Sequence, residues 1–139
     1  MATIQHIFHI DASFENVFKA ISTIEGIQKW WTSGTRGDDS LQGIIQVRFG
    51  DNGGMDFQVT EINPNKSYKW KTVDGHPEWI DTIIDFQLDE NDNKVRVTFT
   101  HGGWEKASPF MSQCNFSWGR YMISLRDYLE KGQGEPYIG

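Results

Sequence analysis

The chain has 139 residues and carries 13 Lys and Arg against 19 Asp and Glu, a net charge of -6. That length suits one domain over residues 1–139 that buries its own core without disulfide or metal staples. The acidic balance opposes phosphate backbones and makes nucleic acid a poor partner, and no stretch approaches the roughly 20 apolar residues of a membrane span. The lone cysteine, Cys114, cannot form an intrachain disulfide, and the first residues have neither a basic start nor the long apolar run of a signal peptide, so a cytoplasmic location is expected.

From Ile4 to Ile10 the chain alternates, with Ile4, His6, Phe8 and Ile10 on one face, the period-2 pattern of a half-buried strand. Ser13 then stands as an N-cap before Phe14, Val17, Phe18 and Ile21, whose spacing of three and four residues makes one helical stripe. Thr23 caps a second short helix that carries Ile24, Ile27 and one or both of Trp30 and Trp31 inward. The Gly34 to Gly37 stretch ends it.

Between Leu41 and His101 short apolar alternations are separated by turn-forming clusters, which predicts a β-meander. Leu41, Gly43, Ile45, Val47 and Phe49 share one face, and Gly50 to Gly54 turns the chain into Met55, Phe57 and Val59. Asn63-Pro64-Asn65 leads to Tyr68, Trp70 and Thr72; Asp74 to Pro77 leads to Ile80, Thr82, Ile84, Phe86 and Leu88; Glu90 to Asn93 leads to Val95, Val97, Phe99 and His101. With the first segment this gives six strands. The other face, with Gln42, Gln46, Arg48, Lys69, Lys71, Asp81, Asp85 and Arg96, is mostly polar and suits water.

Ser108 as N-cap and Pro109 at the first helical position open a long helix that runs to about Lys131 before Gly132. At about 100° per residue, Phe110, Met111, Cys114, Trp118, Tyr121, Met122, Leu125, Tyr128 and Leu129 fall within an arc of roughly 120°. That arc predicts a helix laid across the concave face of the sheet. Phe116 and Ile123 fall on the polar side, open to a loop, a partner or nothing but water. Residues 132–139 read as a loosely held end. The architecture expected is therefore α+β, a curved antiparallel sheet of six or more strands around a long C-terminal helix, with two short helices after strand one.

The order of elements resembles the helix-grip fold of the START-like superfamily, also called SRPBCC or Bet v-like. Particular residues narrow the likeness to the group named for the activator of the heat-shock-protein-ninety ATPase, through its C-terminal domain. These are Ile10 to Ile21, Trp30-Trp31, Val59 to Pro64 ahead of Tyr68 and Trp70, His101-Gly102-Gly103-Trp104, and Trp118 with Leu125 and Tyr128-Leu129-Glu130. The resemblance implies a fold that encloses apolar small molecules. A chain of this length has no room for the separate chaperone-binding domain of the eukaryotic activator, so chaperone activation is not implied.

No catalytic signature emerges. His6 and His9 point to opposite strand faces, and the four histidines show no metal-ligand spacing, so neither a metal nor another cofactor is expected. Cys114 has no base signature beside it, and Gly50-Asp51-Asn52-Gly53-Gly54 lies between strands and reads as a hairpin turn rather than a phosphate loop. What remains is an aromatic interior, consistent with an aromatic content of 14% and six tryptophans. Phe57, Tyr68, Trp70, Phe86, Phe99, His101, Trp118, Tyr121 and Met122 are expected to line a cavity for an apolar or aromatic ligand, with Tyr68, His101 and Tyr121 as polar anchors. The alternatives are a cyclase- or hydratase-like enzyme acting on a ring substrate, and a module contacting a chaperone or a second copy through Phe116 and Ile123.

Overall fold

The computed structural model describes residues 1–138. β1 (Ala2–Ile10) is followed by α1 (Phe14–Ser22), α2 (Ile24–Trp30) and the two-residue β2 (Arg36–Gly37). A meander of β3 (Ile44–Arg48), β4 (Gly54–Asn63), β5 (Ser67–Asp74), β6 (Ile83–Asn91) and β7 (Lys94–Trp104) leads into α3 (Pro109–Lys131). The sheet is seven-stranded and antiparallel in the order β1-β7-β6-β5-β4-β3-β2, so the first strand closes onto the last and leaves β1 and β2 at the edges. Register shifts at Asp56/Phe57 and Val59/Glu61 bend β4 against β5, which helps the sheet curl around α3. This is the helix-grip architecture. Among the described residues no helix is long and apolar enough to cross a membrane.

Local chemistry sets the helix limits. The Ser13, Thr23 and Ser108 hydroxyls accept from the backbone N–H groups of Asn16, Gly26 and Met111 at 3.0, 2.9 and 3.1 Å, which satisfies first-turn donors that the helices cannot. Gly132 ends α3 at φ 80°, a left-handed position where a side chain would be strained. Gly26 is required for packing: a Cβ there would lie 2.6 Å from the carbonyl oxygens of Lys19 and Ala20, so α1 and α2 meet backbone to backbone.

One local feature adds to the expectations and two differ from them. The seventh strand falls within the six or more expected but is not among the six read from alternation: Arg36–Gly37 pairs with Gln46 and Ile45 through backbone hydrogen bonds and not through apolar alternation. Leu41 and Ile80, read as strand residues, lie in turns and are exposed, and β3 and β6 begin at Ile44 and Ile83. The C-terminal segment, read as a loose end over residues 132–139, is tied down as far as Tyr137, and residue 139 lies outside the described residues. Tyr137 forms a parallel bridge with Thr32, donates its N–H to Trp31 O at 2.8 Å, and packs its ring edge-on against Phe49 at 5.5 Å. The buried Ser124 hydroxyl on α3 donates to Trp30 O and accepts from Glu135 N, and so joins helix, tail and α2.

Candidate functional site

α3 lies over the concave face with its apolar arc inward: Trp118, Met122 and Leu125 are buried, whereas Phe116 is 74% and Ile123 52% exposed. The space between helix and sheet is filled by the double tryptophan at the end of α2. Trp30 and Trp31 stack at 6.0 Å and 10°, and Trp31 stacks in turn on Trp70 at 6.0 Å and 5°. Trp31 also meets Trp118 at 4.9 Å and Phe57 at 5.8 Å. Phe57, Tyr68, Trp70, Phe86, Phe99 and His101 are therefore completely buried, packed side against side.

Polar atoms in this interior are mostly satisfied internally. The Trp118 indole N–H donates to His101 Nδ1 at 3.1 Å, and because an indole can only donate, Nδ1 is the acceptor. His101 Nε2–H then donates to Thr82 Oγ1 at 2.8 Å, while that hydroxyl donates onward to Trp79 O. Burial pushes the His101 pKa down to about 3, so the ring is neutral at pH 7. The Tyr68 hydroxyl donates to Asp39 O at 2.7 Å, and burial raises its pKa. The indole N–H of Trp70 is buried without a partner.

The open space lies toward the N-terminal half of α3. There a cleft of about 290 Å³ opens between the β3–β4 hairpin, the loop before β6 and the helix. Trp31, Trp79 and Trp118 form its floor, with Trp79 and Trp118 stacked at 6.0 Å and 22°. Phe49 and Met55 supply the hairpin wall, and Phe110, Cys114 and Tyr121 supply the helix wall. At the mouth His76 stacks on Phe110 at 3.8 Å, beside Ser117. Cys114 Sγ accepts from the Trp79 indole N–H at 3.3 Å, and burial raises its pKa, so it stays a thiol. Burial also raises the pKa of the Tyr121 phenol, which leaves a neutral hydroxyl at the cleft.

Of the side chains that the sequence assigns to a cavity, Trp118 and Tyr121 line this cleft. The six buried sheet residues lie beneath it in the packed interior, and Met122 turns to the opposite flank of α3. Trp79 and His76 also line the cleft and were not among the cavity residues expected from the sequence, nor was Phe110, which was placed only in the inward arc of α3. The signal available was a tryptophan inside an otherwise polar turn, Gly75-His76-Pro77-Glu78-Trp79, where water gives no reason for a large indole.

The family model described as Activator of Hsp90 ATPase homolog 1-like protein matches residues 11–130. Among solved structures, the Aha1 dimer from Colwellia psychrerythraea is similar at 38% identity and TM-score 0.88, covering 96% of this chain and all of that one. Proteins from Staphylococcus saprophyticus (19% identity, TM-score 0.80, 99% and 98% of the two chains) and Mesorhizobium loti (17%, 0.77, 92% and 96%) share the fold. No curated protein matches. With 120 consecutive positions matched, including the strand-to-helix opening, the double tryptophan and most of α3, the chain belongs to the Activator of Hsp90 ATPase homolog 1-like family.

Proposed function

We propose that the chain binds a small aromatic or apolar molecule in the cleft between α3 and the β3–β4 hairpin, without catalysing its conversion. The observation that carries this reading is a concave surface made of aromatic faces, a methionine and a cysteine, with the few polar groups of His76, Ser117 and Tyr121 at its rim. Apolar walls with a few placed polar atoms are the usual composition of small-molecule sites. A volume of about 290 Å³ suits one or two fused rings. Binding is favoured over ring chemistry by the polar interior, because both His101 nitrogens are engaged in hydrogen bonds and Arg48 is paired outward with Asp56 at 2.7 Å.

Calorimetric titration with 2-naphthol tests the reading. The expected result is saturable binding in the micromolar range, near -8 kcal/mol. Ser117→Phe, which adds a ring at the mouth from an exposed position, is expected to abolish the heat and leave the melting temperature within about a degree. Absence of saturable heat, or equal binding by both proteins, refutes the proposal. A second reading, self-association, is favoured by the dimeric state of the Colwellia relative. Light scattering after gel filtration distinguishes a particle of twice the 16.0 kDa chain mass from a monomer.

A further inference from the structure

On the flank of α3 away from the cleft, a groove of about 490 Å³ runs between the helix and the edge strand β1. Three of the large apolar side chains that the fold leaves in water converge on it: Ile7, Phe116 and Ile123 are 57%, 74% and 52% exposed. Isolated surface apolar residues are ordinary, but three around one concavity describe a surface suited to apolar contact. Gly119 keeps its floor open, since even a Cβ there would already touch His6 Cε1 at 3.6 Å.

The groove is also cationic on a protein of net charge -6. Arg120 and Arg126 line it from positions six residues apart on α3, and neither takes part in an ion pair among the described residues. Beneath them the His6 Nε2 is buried with no hydrogen-bond partner, so a polar atom reaching the floor gains a bond that the free protein leaves unmade. Guanidinium groups recognise carboxylates through paired, charge-assisted hydrogen bonds.

We infer that this groove is a binding site for an amphiphilic carboxylate, an acid with an apolar chain. The chain lies along Ile7, Phe116 and Ile123, and the carboxylate is held by Arg126, which is half-buried, with Arg120 at the rim. The site shares none of its lining residues with the cleft, so the two are separable by experiment.

Amide shift mapping by nuclear magnetic resonance with decanoate and 1-decanol, both below their aggregation limits, tests it. Decanoate is expected to shift the amides of Ile7, Gly119 and Ile123 saturably and to bind about tenfold or more tightly than the alcohol. The double variant Arg120→Gln/Arg126→Gln is expected to lose that preference. Gly119→Leu, which fills the groove, is expected to lose binding, whereas Ser117→Phe in the cleft retains it; if Gly119→Leu fails to fold, the arginine pair still decides. Equal binding of acid and alcohol overturns the inference, as do shifts confined to residues around Trp79 and Tyr121. So does movement of the groove amides with protein concentration alone, which would assign the groove to a second copy of the chain.

Discussion

Replacing Trp31 with alanine removes the side chain that turns a curved sheet and a straight helix into a filled interior. The ring is 2% exposed and meets the rings of Trp30, Phe49, Phe57, Trp70 and Trp118 at centroid distances from 4.9 to 6.0 Å. A buried tryptophan removes roughly 150–250 Å² from water, which at about 25 cal/mol per Å² corresponds to about 4–6 kcal/mol. Measured tryptophan-to-alanine losses in cores of about 3–5 kcal/mol agree with the lower part of that range. The expected loss in urea unfolding is therefore about 4 kcal/mol, with the denaturant slope unchanged if the variant still folds as one cooperative unit. Because Trp31 also floors the cleft, the vacated space, on the order of 150 Å³, joins it and adds room for a further ring. Indole is then expected to restabilise Trp31→Ala more than the wild type, by about 2.7 kcal/mol at a hundredfold excess over its dissociation constant. A loss below about 1 kcal/mol, or equal response of the two proteins to indole, refutes the claim that Trp31 fills the interior.

Leu125→Ala is expected to cost about 2–5 kcal/mol and Phe116→Ala under about 0.5 in the same titrations, because the first is wholly buried on α3 and the second mostly in water. Equal losses would mean that the helix is rotated. Stability is expected to fall on acidification: the folded His101 pKa of about 3 lies below its unfolded value of 6.5. Between those limits the unfolded chain takes up a proton that the folded chain refuses, a slope of about 1.4 kcal/mol per pH unit. Urea titrations from pH 7 to 4 should show that slope reduced in His101→Gln, and an unchanged slope would assign the acid sensitivity elsewhere. Ser124→Ala leaves Trp30 O and Glu135 N without their hydroxyl partner and is expected to cost about 1–3 kcal/mol. Hydrogen exchange at Tyr137 N should accelerate with it, and protection equal to wild type would show the tail anchored by the contacts of Tyr137 with Trp31, Thr32 and Phe49 without help from Ser124.

Much of this molecule follows from short-range pattern. The 100° phase of residues 109–131 decides which flank of α3 faces the sheet, and the exposure of Phe116 and Ile123 follows from that phase alone. Ser13, Thr23 and Ser108 mark the helix starts because their hydroxyls satisfy backbone donors within three residues, an interaction that needs no tertiary partner. The inward sets of β4 to β7 follow likewise from the period of two.

Periodicity, however, says which face a side chain takes and not how far the opposing surface stands from it. The central space expected under Trp118 and Tyr121 is largely occupied by Trp31, whose ring arrives from a short helix many residues away in sequence. The remaining opening is displaced toward a turn whose Trp79 no alternation placed. Met122 sits inward by phase, yet the curl of the sheet puts it on the β1 flank. The tail pairs with Thr32 through backbone groups that every residue carries, so its side chains gave no warning. Face and phase are local properties of the chain; depth, contact and the location of empty space are set only when curvature and side-chain volume meet in three dimensions.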